Sequence, residues 1–136
     1  MAASLIELEK VCKTYNQDRP NQVRALVDID LSIAANAMVC LQGASGSGKS
    51  TLLSVIGCVF PPTSGRATIA GKALSRMPDR FLTIHRLNTI GFIFQHFNLL
   101  PGLTVLENIT LPLMPLGVGP GERRERAGRL MTMLSI

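Results

Sequence analysis

The chain has 136 residues, a length that predicts about one compact domain. A hydrophobic fraction of 46% and a charged fraction of only 17% exclude a disordered segment, because such a chain can bury a sizeable core. The net charge of +5 comes from scattered basic residues, and a single Tyr with no Trp leaves little for base stacking, so we predict no nucleic-acid partner. Three cysteines without a Cys-x-x-Cys pair disfavour a disulfide framework and a zinc site.

Two segments near the N-terminus, residues 5–15 and 23–33, alternate apolar and polar side chains. This pattern predicts two paired strands with one solvent-exposed face. A short continuous apolar run at residues 38–41 predicts a strand that is buried on both faces of a parallel sheet. The glycine-rich turn that follows leads into a predicted helix at residues 49–56, which Gly57 ends.

The rest of the chain continues this alternation of strand and helix signals. The predicted elements are, in order, a strand at residues 66–70, a polar helix capped by Ser75 that runs toward Arg86, a core strand at residues 90–94, a capping box formed by Thr104 and Glu107, and a helix at residues 120–133. This order predicts an α/β fold with an N-terminal antiparallel β subdomain.

One glycine-rich loop carries recognisable chemistry, since it matches G-x-x-x-x-G-K-[ST] and lies between the predicted buried strand and the predicted helix. Its glycines let successive backbone N–H groups point inward at an anion, and the helix adds the positive end of its dipole. Lys49 is expected to reach the β- and γ-phosphates of a nucleotide, and the Ser50 hydroxyl to bind Mg²⁺. We therefore predict a nucleotide-binding site at Gly43, Ala44, Ser45, Gly46, Ser47, Gly48, Lys49, Ser50 and Thr51.

Three further segments resemble the ATP-binding subunit of ABC transporters. Tyr15, in Lys13-Thr14-Tyr15, is where this family has an aromatic residue that stacks on adenine. Residues 62–65 and 69–71 resemble the strand and turn after the P-loop helix, and IGFIFQHFNLLP at residues 90–101 resembles the family's Q-loop. Together with residues 104–109 and 111–113, the sequence of this segment is most similar to the lipoprotein-release and macrolide-export branch of the family.

The resemblance implies a P-loop NTPase-type core, ATP and Mg²⁺ as cofactors, and Gln95 near the metal and the attacking water. It also implies a transmembrane permease subunit and a second ATP-binding subunit as partners, with the chain peripheral on the cytoplasmic face of the inner membrane. From the residues alone, Gln95 could equally cap the predicted strand at residues 90–94, and Tyr15 could be a packing residue. The apolar loop at residues 97–103 could be core, or the surface that receives a short helix of the membrane subunit.

Two family features are missing from the sequence. After Ser50 there is no run of four apolar residues ending in Asp-Glu, of which the Asp would hold Mg²⁺ and the Glu polarise water, and there is no Leu-Ser-Gly-Gly-Gln signature. We therefore expect an incomplete core, with residues 1–136 as the N-terminal part of an ABC ATP-binding domain, and poor ATP hydrolysis. The alternatives are a non-catalytic nucleotide-binding fragment and a P-loop kinase or GTPase, although no guanine-reading Asn-Lys-x-Asp occurs.

Overall fold

A four-stranded antiparallel sheet organises the first part of the chain in the computed structural model, which describes residues 4–75 and 77–136. Its strands, in the spatial order β2-β1-β3-β4, are β1 (Ser4–Tyr15), β2 (Val23–Ala34), β3 (Ser64–Ile69) and β4 (Lys72–Ala73). The inner strand β1 pairs with both β2 and β3. The predicted antiparallel pair and the predicted strand after the P-loop helix are therefore confirmed, with slightly different ends.

A bulge interrupts the long pairing of β1 with β2 and places Lys10 in the left-handed backbone region, at φ 48°. The Asp30 carboxylate accepts hydrogen bonds from the Lys10 Nζ atom at 2.7 Å and from the Lys10 backbone N–H at 2.8 Å. These bonds lower the pKa of Asp30, because they favour its charged form. Gly65 of β3 faces the bulge at φ 85°, and a Cβ there would collide with the Lys10 carbonyl oxygen, so this close approach requires glycine.

The helices largely follow the prediction. They are α1 (Lys49–Ile56), α2 (Asp79–Thr89), α3 (Val105–Thr110), a 3-10 turn (Leu111–Leu113) and α4 (Pro120–Leu134). The capping box at the start of α3 is confirmed, since Thr104 accepts from the Glu107 backbone N–H and Glu107 accepts from the Thr104 backbone N–H. The predicted cap at Ser75 is wrong, because its hydroxyl accepts from the Ala67 N–H and donates to the Gly65 carbonyl, both at 3.0 Å, and thus completes the sheet.

The two predicted core strands at residues 38–41 and 90–94 do not form in the described chain. Met38 and Ile93 are instead fully exposed to solvent. Apolar sequence favours burial, but a strand also needs a neighbour that hydrogen-bonds to its backbone. The four strands of the described sheet pair only with one another, so these two apolar segments have no such neighbour among residues 4–75 and 77–136.

The chain divides into a first unit that ends at Gly91 and a second unit, Phe92–Ile136. The core of the first unit joins the sheet to α1 and α2, and its buried residues are Leu8, Val11, Leu26, Leu52, Val55, Cys58, Ala67, Ile69, Leu74 and Leu82. In the second unit, α3 contacts α4, and Ala127 of α4 is buried. No helix within residues 4–75 and 77–136 has the length and apolar character that crossing a membrane requires.

Candidate nucleotide-binding site

The glycine-rich loop packs closely against β2 just before α1 begins. Gly46 and Gly48 have φ angles of 78° and 87°, a backbone region that residues other than glycine rarely adopt. A Cβ at Gly48 would also collide with the Ala25 carbonyl oxygen of β2 and lie 3.2 Å from a methyl carbon of Leu26. The motif glycine at position 48 therefore sets both the curl of the loop and its distance from the sheet.

Helix α1 offers an uncompensated positive end to this loop. Among the described residues, no side chain caps its N-terminus at Gly48, and its own first turn contains no acidic residue. The first backbone N–H groups of a helix have no partner within the helix, and together with the helix dipole they favour an anion. They border a depression of about 360 Å³ that is lined by Ser45, Gly46, Ser47, Gly48, Lys49, Ser50 and Thr51.

The Lys49 ammonium group is folded back onto the loop. Its Nζ atom donates to the carbonyl oxygens of Gly43 at 2.8 Å and Ala44 at 2.6 Å, and to the Ser47 hydroxyl at 3.3 Å. An ammonium has three N–H donors, so these contacts use all of them. Binding a phosphate oxygen therefore requires Lys49 to exchange at least one loop contact for the ligand.

Ser50 supplies a hydroxyl oxygen at the same edge of the loop. It lies in the first turn of α1, and its side chain is exposed. Mg²⁺ prefers oxygen ligands, keeps several waters, and is commonly held by one or two protein groups together with substrate phosphates. One exposed hydroxyl beside a phosphate-binding loop fits that requirement, so Ser50 could hold Mg²⁺ on a bound nucleotide.

Tyr15 reaches the same helix from the end of β1. Its hydroxyl lies 3.5 Å from the Thr51 Oγ1 atom of α1, and its ring meets the Phe60 ring edge-on. The structure therefore brings Tyr15 and the P-loop helix together, while the stacking of Tyr15 on adenine stays a prediction. It also adds two neighbours that sequence reasoning missed, Lys13 and Phe60. The two-residue period of a strand indicates that Lys13 shares a face with Tyr15, whereas no local signal points to Phe60.

Gln95 belongs to the second unit, where it lies in an exposed bend. Its alternative role as the cap of a strand at residues 90–94 is wrong, because no strand forms there. Its contacts with Mg²⁺ and with the attacking water stay predictions.

The loop, the helix start and the lysine together define a P-loop nucleotide-binding protein. A family model described as ABC transporter matches residues 26–136, which is most of the chain. The chain belongs to the ABC transporter family, and the resemblance predicted from the sequence is confirmed.

Curated relatives and solved structures agree with this assignment. The chain is 41% identical over 134 residues to the macrolide export ATP-binding/permease protein MacB 1 of Yersinia pestis, covering 98% of this chain and 20% of that protein. It is 42% identical over 132 residues to an uncharacterized ABC transporter ATP-binding protein of Thermotoga maritima, covering 97% of this chain and 56% of that protein. A dimeric ATP-binding cassette in a post-hydrolysis state with ADP and Pi superposes with a TM-score of 0.84 at 40% identity, covering 96% of this chain and 57% of the cassette. The chain thus spans a fifth to about half the length of these relatives, and the predicted α/β P-loop fold class is confirmed.

Proposed function

We propose that this chain binds ATP and acts as the ATP-binding part of an ABC transporter that powers export or lipoprotein release. The observation that carries the proposal is that the two proposed nucleotide-binding features lie at one helix: the glycine-rich loop at the start of α1, and Tyr15 beside Thr51 of its first turn. The macrolide-export names of relatives and the ADP and Pi bound to the similar cassette support the same reading.

Each site residue has a distinct role in this proposal. The loop N–H groups and Lys49 bind the β- and γ-phosphates, and Tyr15 stacks on adenine. Ser50 holds Mg²⁺, which when bound neutralises charge on the phosphate oxygens. Gln95 orients the attacking water, contributes to the metal site, and links the nucleotide to the membrane partner.

The proposed partners are a transmembrane permease subunit and a second ATP-binding subunit, which would place the chain on the cytoplasmic face of the inner membrane. Support comes from the ATP-binding/permease names of relatives and from the dimeric state of the similar cassettes. In the second unit, the apolar loop at residues 97–103 exposes Phe97 at 90% and Leu99 at 67% of their surface. Asn108 braces this loop by accepting from the Leu100 N–H at 2.8 Å and donating to the Leu103 carbonyl at 3.2 Å. A fixed apolar surface of this kind suits a docking helix of the permease.

A second candidate, nucleotide binding without catalysis, is favoured by the acidic residues that follow the P-loop. There are four, and none follows a run of four apolar residues. Asp79 lies in the first turn of α2 and Glu107 in the capping box of α3, while Glu122 and Glu125 pair with arginines on α4. Each of these four carboxylates therefore lies in a helix and contributes to its charge or hydrogen-bond pattern, and none has the sequence context of a metal-binding or water-polarising carboxylate.

The experiment that tests ATP binding is a titration of the folded Lys49→Ala variant. Removing the ammonium deletes a charge-assisted hydrogen bond to phosphate, so the affinity should fall by about 1.5–3 kcal/mol. Lys72→Ala, which removes an exposed lysine from β4, is the matched control and should bind like the wild type. Unchanged ATP affinity in Lys49→Ala would show that the P-loop is not the binding site.

A further inference from the structure

Lys13 lies against two aromatic rings beside the P-loop helix. Its Nζ atom is 4.3 Å from the centroid of the Phe60 ring and 5.7 Å from that of the Tyr15 ring. Both distances fall within the range of about 6 Å over which an aromatic face attracts an ammonium. Tyr15 also meets Phe60 edge-on, with centroids 5.9 Å apart and an interplanar angle of 84°, a favoured aromatic geometry. Lys13, Tyr15 and Phe60 thus form one contact group, which we term the aromatic cluster.

Further contacts fix the aromatic cluster at two ends. The Lys13 Nζ atom donates a hydrogen bond to the Pro61 carbonyl oxygen at 2.9 Å, and the Tyr15 hydroxyl lies 3.5 Å from Thr51 Oγ1. Lys13 is half-buried, and this burial lowers the pKa of its ammonium by disfavouring the charged form. The carbonyl and the rings therefore compensate a charge that is partly withdrawn from water. Tyr15 keeps 36% of its surface exposed, so part of its ring is open to a ligand.

We propose that Lys13 and Phe60 are positioning residues that hold the Tyr15 ring in the orientation in which it stacks on the nucleobase. This inference rests on the proposed function, in which Tyr15 binds adenine. A side chain that is ordered before binding loses less conformational entropy when the ligand arrives, so Lys13 and Phe60 raise nucleotide affinity through Tyr15, without contacting the nucleotide themselves. Because the stack acts on the base, this contribution depends on the presence of a base.

Two other roles for Lys13 would give different results. If the Lys13 side chain only stabilises the packing of β1 on residues 60–61, its removal lowers the melting temperature and weakens the binding of ATP and of triphosphate to the same extent. If its ammonium binds phosphate directly, its loss weakens the binding of ATP and of inorganic triphosphate alike. Comparing these two ligands therefore separates a role at the base from a role at the phosphates.

The composition of the chain makes the test direct, because Tyr15 is the single tyrosine and there is no tryptophan, so intrinsic fluorescence reports on its ring alone. ATP and inorganic triphosphate are each titrated into the wild-type chain and into Lys13→Met, Lys13→Arg and Phe60→Leu. Lys10→Met is the matched control, since Lys10 lies on the same strand but pairs with Asp30 at 2.7 Å. Thermal melts accompany each titration.

We expect Lys13→Met and Phe60→Leu to weaken ATP binding about two- to fivefold and to reduce the change in Tyr15 fluorescence that ATP causes. Their affinity for triphosphate should not change. Lys13→Arg keeps a cation over the rings and should restore ATP affinity, and Lys10→Met should behave as the wild type. Equal weakening of ATP and triphosphate binding, or wild-type ATP affinity in Lys13→Met, would overturn the inference.

Lys49→Ala distinguishes failure of this inference from failure of the proposed function. If Lys49→Ala binds ATP and triphosphate like the wild type, the P-loop assignment is wrong and the positioning role falls with it. If Lys49→Ala weakens the binding of both ligands while Lys13→Met changes neither, the P-loop assignment stands and only the positioning role is wrong.

Discussion

Replacing Gly48 by alanine tests whether the phosphate site depends on the shape of its loop as well as on its charge. At φ 87° an alanine is strained, at a cost of roughly 1–3 kcal/mol. Its Cβ would also collide with the Ala25 carbonyl oxygen, so the loop must either keep the strain or move away from β2. If the loop stays in place, the strained alanine lowers the free energy of unfolding. If the loop moves away from β2, the N–H groups that would face phosphate are displaced.

Equilibrium urea unfolding and ATP titration together measure both outcomes of Gly48→Ala. We expect the free energy of unfolding to fall by about 1–3 kcal/mol, or the ATP affinity to fall by the equivalent factor of roughly 5 to 150, or an intermediate loss of each. Gly128→Ala is the matched control, because Gly128 lies within α4 and a Cβ there meets open space. That substitution should stabilise by up to about 1 kcal/mol and leave ATP binding unchanged. Wild-type stability combined with wild-type ATP affinity in Gly48→Ala would refute the described packing of the loop on β2.

Three further predictions concern turnover and the second unit. The 136-residue chain should release phosphate from ATP no faster than background, because it lacks the Asp-Glu pair after an apolar run. In the assembled transporter, Gln95→Ala should lower ATP hydrolysis with little change in ATP binding, whereas Phe97→Asp or Leu100→Asp should weaken permease pull-down at an unchanged melting temperature. Hydrogen bonds from the Thr104 backbone and side chain hold the pKa of Glu107 below its ordinary value of 4.5. The stability that these hydrogen bonds contribute is therefore fully present above pH 4.5, and it is lost as the pH falls through the lowered pKa of Glu107. Melts of Glu107→Gln should lose that pH dependence.

Contrary outcomes for these experiments are equally specific. Phosphate release well above background, abolished by Lys49→Ala, would show that other residues of the chain replace the missing carboxylates. If Gln95→Ala, Phe97→Asp and Leu100→Asp all unfold the protein, these side chains are structural. An unchanged pH profile in Glu107→Gln would mean that the ionised form of Glu107 contributes nothing measurable to stability.

The features predicted correctly from the sequence are those that local interactions decide. Alternating side chains specify the β1 and β2 pair, and the order of Gly48 and Lys49 specifies the start of α1. The capping box follows from two residues three positions apart. In each case the partner that satisfies the backbone lies within a few residues or in the neighbouring strand.

Predictions failed where a partner distant in sequence decides the outcome. The apolar run at residues 38–41 has the composition of a buried strand, but composition does not reveal whether a neighbouring strand is present to pair with it. The Ser75 hydroxyl could equally well cap a helix or hydrogen-bond to a strand, and in the structure it bonds to Gly65 and Ala67 of β3. Lys13 and Pro61 lie 48 positions apart, so their hydrogen bond is invisible to local pattern analysis.

Shared packing couples the two ends of the proposed ATP site. Val11 of β1, the strand that carries Tyr15, is buried in the same core cluster as Leu52 and Val55 of α1, the helix that follows the P-loop. Close-packed interiors transmit strain, so a change that shifts α1 against the sheet would disturb the base contact and the phosphate contact together. The proposed ATP binding therefore depends on one folded unit. Gln95 belongs to the other unit, so its proposed part in hydrolysis can be altered without disturbing the core on which binding depends.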